Sequence, residues 1–354
     1  MIKYHLPTKI ILGRLEEIIR GEVDLFKPEK ILLITSQDFK QLGIVNKLQD
    51  CLAGYQVSVF LEVKSNPSPE LVIKAKQASD LIIGLGGGSV LDVAKVVATE
   101  LKKPCFTIPT TAGTGSEVTP FAALYDWKKK KKLSLAVNFP NVAIVDYQLT
   151  LTLPQELVAS TGMDALSQAM EAYWSIHSNP LSDIHAEKAI KLVIGNLEHS
   201  WDGSEKAREA MSLAALEAGR AFSQTKTTAV HSVSYPLTIH YGLAHGLACA
   251  LTLPHFLIYN YQVSERDCSD ERGADFVKKR IQTLAGFLGA KNVVEGKELI
   301  AELMKSIGLP AKADFDIELV LKDAFSPERV RNNPRLVTEE NLRRILETIK
   351  KGKD

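Results

Sequence analysis

From Lys30 to about Leu153, short apolar runs alternate with longer segments whose apolar residues recur every three or four positions. That is the pattern of strands joined by helices in a parallel sheet. Strands are predicted over 31–35, 57–61, 80–85, 105–109 and 142–145, with helices over 69–78 and 90–101 among the connections. Beyond Leu153-Pro154 the alternation stops, and a helical period runs to Ile349 with hardly any strand signal. Helices are predicted over 184–196, 207–222 and 245–259, and Thr161-Gly162-Met163-Asp164 reads as a capping box opening another. The fold class is therefore an α/β N-terminal domain with a parallel sheet (1–155) followed by an all-α C-terminal domain (156–354). The lysine run Lys128–Lys132, set before the alternating Leu133-Ser134-Leu135, is expected to be a solvated hairpin turn.

Two domains also suit the length, since 354 residues exceed what one hydrophobic core usually supports. With 43 Lys+Arg against 42 Asp+Glu the formal net charge is +1, which points to neither nucleic acid nor a membrane surface as partner. An anion must then be held locally. Cys51, Cys105, Cys249 and Cys268 are scattered without a CxxC pair, which argues against a disulfide framework and a zinc ribbon and for a reducing compartment. No apolar stretch reaches the length of a membrane span, and residues 1–15 lack the apolar core of a leader. A cytoplasmic protein is expected.

Candidate chemistry starts at Gly84-Leu-Gly86-Gly87-Gly88-Ser89, where an apolar strand runs into three glycines and then a helix. Glycine lets the backbone approach a phosphate, and the helix start offers free N–H groups and a positive dipole end. The pattern is neither the Gly-x-Gly-x-x-Gly fingerprint nor a P-loop, and a tight turn alone could require it. A second loop, Thr110-Thr111-Ala112-Gly113-Thr114-Gly115-Ser116-Glu117, follows another apolar strand and carries four hydroxyls. Such polarity is hard to bury unless a ligand supplies partners. Two such loops at the carboxyl ends of parallel strands define a dinucleotide crevice.

In the helical half Asp164 and Gln168 lie four apart, on one helix face, and His231 and His245 follow downstream. A carboxylate and two imidazoles from different helices can converge on a divalent cation and leave a position for a substrate oxygen.

Together these residues resemble the iron-containing (group III) alcohol dehydrogenases. The Gly86–Ser89 loop, the Thr110–Glu117 loop, Gly162-Met163-Asp164-Ala165-Leu166 and the His231…His245-Gly246 pair stand in the family's order and spacing. The resemblance implies a dehydroquinate synthase-like fold, with a metal and a nicotinamide in the cleft between the domains. It implies hydride exchange between NAD or NADP and a primary alcohol or aldehyde. Cofactor contacts would come from Ser36, Gly86, Gly87, Gly88, Ser89, Thr110, Thr111, Thr114 and Lys132. Metal ligands would be Asp164, Gln168, His231 and His245, holding Fe²⁺ or Zn²⁺. The family has histidine at the second of these positions. Glutamine offers only a neutral amide oxygen, which puts iron in doubt and leaves the one-carboxylate, two-histidine zinc set of the similar glycerol dehydrogenases.

Catalysis would fall to His245 and to Tyr235, one turn beyond His231, which could orient or protonate the substrate oxygen. NAD-preferring relatives carry an aspartate where Ser36 stands, so with Lys40 nearby NADPH should serve at least as well as NADH. The stretches 224–228 and 329–335 resemble the phosphonoacetaldehyde reductase branch and suggest an anionic substrate held by Lys226, Asn333 and Arg335. A generic aldehyde or diol dehydrogenase, and a metal-free nucleotide-binding relative, remain alternatives. A homodimer is the expected assembly.

Overall fold

The computed structural model describes residues 4–325 and 328–351; positions 1–3 and 352–354, the outer ends of the two expected domains, lie outside them. The chain divides into two compact units, His5–Thr152 and a second running from Leu153 onward, which also takes in Tyr4.

The first unit runs β1 (Lys9–Leu12), α1 (Leu15–Phe26), β2 (Lys30–Ile34), α2 (Gln37–Gln41), α3 (Ile44–Cys51), β3 (Gln56–Phe60), α4 (Pro69–Ala75), β4 (Leu81–Gly86), α5 (Gly88–Leu101), β5 (Cys105–Pro109), β6 (Phe121–Asp126), β7 (Lys131–Ala136) and β8 (Val142–Val145). Six strands form one parallel sheet in the order β1-β8-β5-β4-β2-β3. Every residue of β4, β5 and β8 is buried, as their unbroken apolar runs require of strands covered on both faces. Alternate residues of β2 feed opposite cores. Ile31 and Leu33 pack with Leu15, Ile19 and Leu48, while Leu32 and Ile34 pack with Val90, Val93 and Ala94.

Strand β1 was not expected from the sequence. It is a four-residue edge strand with both ends exposed, and such a short stretch carries little period. The lysine run does sit at a hairpin: β6 and β7 pair antiparallel, the turn occupies 127–130, and Asp126 Oδ1 accepts from the Lys128 and Lys129 amides.

From β2 the chain steps outward to β3, then returns to place β4 on the other side of β2. The direction of winding thus reverses between β2 and β4, where open α/β sheets bind ligands at the carboxyl ends of their strands. Those ends are Thr35-Ser36 and Gly86-Gly87, and the Thr35 hydroxyl ties them together by donating to Leu85 O at 2.7 Å.

The second unit is helical: α6 (Gln155–Trp174), α7 (Pro180–Trp201), α8 (Glu205–Thr225), α9 (Ala229–Tyr241), α10 (His245–Tyr261), α11 (Ala274–Phe287), α12 (Val293–Ser306), α13 (Ile317–Ala324) and α14 (Glu339–Ile349). Helix α6 is buried on nearly all sides, so its neighbours enclose it. It begins after Pro154, six residues earlier than the Thr161 signal suggested. Thr161 is therefore interior, and its hydroxyl bonds back to Leu157 O at 2.8 Å instead of capping. Glycine sets two close approaches to α6. A Cβ on Gly162 would lie 2.2 Å from Leu197 Cδ1 of α7, and one on Gly246 only 1.7 Å from Ser160 O. Among the described residues no helix is long and apolar enough to cross a membrane.

Candidate active site

The close approach at Gly246 has a chemical consequence. It seats the first turn of α10 on α6 at Ser160, one helical turn before Asp164, and so brings His245 to the carboxylate. His245 Nε2 lies 3.7 Å from Asp164 Oδ1, and His231 Nε2, from α9, lies 3.3 Å from the same oxygen. The two imidazoles meet edge to face with centroids 5.3 Å apart. Asp164 and His231 are buried, and His245 keeps 25% of its side chain exposed, the accessible member of the set.

Two further residues join them, Glu171 and Cys249, neither of which was expected at this site. Glu171, fully buried on α6, receives the Thr228 amide and hydroxyl and the His231 amide on Oε1, while Oε2 pairs with His231 Nδ1. A carboxylate on one imidazole nitrogen fixes the ring and leaves the other nitrogen for a metal. Cys249 on α10 completes a group whose donor atoms, with those of Asp164, His231 and His245, all lie within 4.8 Å of one another. Both carried a signal in the sequence: Glu171 is seven residues from Asp164 and Cys249 four from His245, spacings that share a helix face.

Burial alone would lower the His231 pKa, yet Cys249, Glu171 and Asp164 beside it hold the imidazole well above its ordinary value. Burial pushes the Cys249 thiol up. Gln168 Oε1 is buried with no hydrogen-bond partner among the described residues. A carboxylate, two imidazoles and a thiol whose donor atoms lie within 4.8 Å of one another, with an orphaned amide oxygen one turn along α6 from the carboxylate, fit a divalent cation.

Tyr235 is buried and stacks on His245, centroids 6.0 Å apart and planes 19° from parallel. The Arg329 guanidinium sits over the Tyr235 ring at 5.6 Å and donates to Thr227 Oγ1 at 2.8 Å. Lys226 is exposed at the C-cap of α8. Asn333 and Arg335, expected to contact substrate, are committed elsewhere. Asn333 is buried, exchanges amide hydrogen bonds with Asn260 and donates to Arg335 O; Arg335 pairs with Asp267 at 2.6 Å, donates to Tyr259 O and lies over the Tyr259 ring. Polar groups already satisfied inside the protein have little to offer a ligand, and these two brace the chain around Pro334.

In the first unit the two glycine-rich loops leave adjacent strands, joined where the Thr110 amide donates to Gly86 O at 3.1 Å. They interlock. A Cβ on Gly87 would lie 3.2 Å from Thr111 Cγ2, and one on Gly88 2.6 Å from Thr114 Cγ2. Ser89 accepts the Asn66 amide, and Ser36 stands at the start of α2, bridge-paired with Glu62 and with exposed Lys40 in the same short helix. Lys132, on β7, lies over the Tyr125 ring at 5.7 Å.

Of the four loop hydroxyls, Ser116 is satisfied by Asp92 at 2.6 Å and so needs no ligand, contrary to the expectation from polarity, while Thr114 Oγ1 accepts the Ser116 amide. Thr110 Oγ1 remains buried without a partner among the described residues. Asp92 also accepts the Ala123 amide and pairs with buried Lys95, whose ammonium donates to Thr119 O and Phe121 O. This pair, missed in the sequence, holds the second loop to α5. Glu117 at its end is buried, and desolvation pushes its carboxyl up to about 7.

A doubly covered parallel sheet with glycine loops at its switch point, and a helical unit gathering one carboxylate and two imidazoles, define a nicotinamide-linked, metal-dependent oxidoreductase. The chain belongs to the Fe-containing alcohol dehydrogenase family: residues 7–147 match the iron-containing alcohol dehydrogenase model and 158–350 the family's C-terminal model. It is accordingly an NAD(P)-dependent oxidoreductase of the alcohol dehydrogenase class. It is 34% identical to the phosphonoacetaldehyde reductase of Streptomyces viridochromogenes over 76% of this chain and 75% of that one. It is 31% identical to the NADPH-dependent butanol dehydrogenase of Clostridium saccharobutylicum over 99% of each. The crystal structure of sulfoacetaldehyde reductase from Bifidobacterium kashiwanohense in complex with NAD⁺ superposes with a TM-score of 0.89, at 31% identity, covering 99% of this chain and 98% of that one.

Proposed function

We propose that the enzyme reduces small anionic aldehydes to primary alcohols with NADPH, and that Asp164, His231 and His245 hold its divalent cation. The observation carrying the anionic substrate is Arg329. Among the described residues its guanidinium has one hydrogen bond and no ion pair, and it lies over Tyr235, which stacks on His245. A cation with no ion pair among the described residues, one ring away from His245, suits a phosphonate or sulfonate. Two relatives named above act on aldehydes that carry such a group. Exposed Lys226, next to Thr227, adds a second positive charge.

When bound, the nicotinamide supplies the hydride and the cation supplies Lewis-acid stabilisation of charge at the carbonyl oxygen, worth several kcal/mol. Glu171 keeps the His231 ring fixed with Nε2 toward Asp164. Tyr235 Oη orients the substrate oxygen and hands it a proton. The amides opening α5 after Gly86, Gly87 and Gly88 receive the cofactor's diphosphate, with Ser89, Thr110, Thr111 and Thr114 around them and Lys132 on the neighbouring hairpin. Ser36, lacking a carboxylate, tolerates a 2′-phosphate near Lys40. The assembly proposed is a homodimer, and the compartment the cytoplasm, where its four unpaired cysteines stay reduced.

The test is NADPH oxidation with phosphonoacetaldehyde and with butanal, by the parent enzyme and by Arg329→Met. Loss of a charge-assisted bond of about 1.5–3 kcal/mol should raise KM for the anionic substrate by about 10–100-fold and leave butanal nearly unchanged. A preference for butanal, or equal loss on both substrates, would refute the anionic assignment.

A further inference from the structure

Gln168 leaves the cation site short of a strong donor, since its neutral amide oxygen is a weak partner beside imidazoles. Cys249 stands in the right place to replace it. Four residues after His245 on α10, it shares that residue's helix face, and its sulfur belongs to the donor group spanning no more than 4.8 Å. A tetrahedral site with bonds of about 2.1 Å separates its donors by about 3.4 Å. The Asp164–His231 and Asp164–His245 distances, 3.3 and 3.7 Å, already match that spacing.

A buried cysteine is often only a small apolar side chain, as Cys105 is in the sheet core, with its thiol turned to the Phe106 carbonyl. Cys249 instead faces the His231 ring and the Ser234 hydroxyl, with Asp164 alongside.

We propose that Cys249 supplies a thiolate as the fourth protein donor, making the set Asp164, His231, His245 and Cys249, which favours zinc over iron. The inference rests on the reading of Asp164, His231 and His245 as a cation site. Binding breaks the S–H bond, forms a sulfur–metal bond and releases one proton to the buffer, with no electron transferred. A soft sulfur donor suits zinc, which takes mixed N, O and S ligands and expands to a fifth position when a substrate oxygen arrives.

The experiment is cobalt titration of the metal-stripped full chain, followed by absorption. One Co²⁺ per chain with a near-ultraviolet thiolate-to-cobalt charge-transfer band is expected. Cys249→Ala and the near-isosteric Cys249→Ser should lose that band, and their zinc dissociation constants should rise by about 100-fold or more, beyond the roughly 10–100-fold that loss of an outer partner costs. Cobalt bound at one per chain without the band overturns the proposal with no variant required, as does a band undiminished in Cys249→Ala. Failure of the underlying site looks different: no cobalt bound, or binding unaffected by Asp164→Ala and His245→Ala.

Discussion

Glu171 and His231 meet twice: the carboxylate accepts the His231 amide at 3.3 Å through one oxygen and pairs with the ring Nδ1 through the other. The nitrogen left over, Nε2, is the one beside Asp164. Glu171→Gln keeps the shape but removes the charge that makes the imidazole a strong donor. Metal affinity should fall by about 10–100-fold, read by competition with a chromophoric chelator, with the fold retained by circular dichroism. Unchanged affinity would mean that the carboxylate only fills space.

Gly246 admits no side chain, because a Cβ there would lie 1.7 Å from Ser160 O. The obstacle is backbone, not a side chain that can swing away. Gly246→Ala must push α10 off α6 and move His245 away from Asp164. A loss of at least about 1–3 kcal/mol is expected, the usual cost of overpacking, seen as a lowered Tm together with weakened metal binding. Gly195, with open space around its Cβ position, is the control, since Gly195→Ala should be neutral or stabilising.

Glu117 makes stability depend on pH. Its folded pKa, raised to about 7 by desolvation, exceeds the ordinary 4.5. The folded state therefore holds the proton more tightly, and its contribution is fully present below about pH 4.5. It is lost as pH rises toward 7, because the unfolded chain ionises first. The difference corresponds to about 3 kcal/mol. Glu117→Gln should flatten the dependence of Tm on pH between 5 and 8 and stabilise the protein at the upper end. A parent enzyme whose Tm rises over that interval would contradict the assignment.

Ser36→Asp restores a carboxylate at the start of α2. It should repel the 2′-phosphate and accept the ribose hydroxyls, moving kcat/KM toward NADH by about tenfold or more. In the parent enzyme NADPH should serve at least as well as NADH. An NADH advantage of about a hundredfold before mutation would show that the adenosine end is read elsewhere.

The sheet was legible to within a residue or so at β2, β3, β4, β5 and β8, because runs such as Leu81–Gly86 are buried on both faces and must be apolar throughout. Edge strand β1 lacked that constraint. At the proposed cation site Asp164, His231 and His245 stood out through residue type and order. Glu171 and Cys249 did not, because one carboxylate or one thiol on an apolar helix acquires meaning only when another helix faces it. The opposite error befell Asn333 and Arg335, whose chemistry suits an anion but whose hydrogen bonds Asn260, Asp267 and Tyr259 had already claimed. Composition lists donors; only packing says which are spoken for.

The donors on α6, α9 and α10 come from three stretches far apart in the chain. An ion gripping all of them acts as a staple on the helical unit, adding about 4 kcal/mol of resistance to unfolding when present at a thousand times its dissociation constant. Metal starvation would then reduce the amount of intact enzyme as well as its turnover, because the emptied chain unfolds more often and meets proteases sooner.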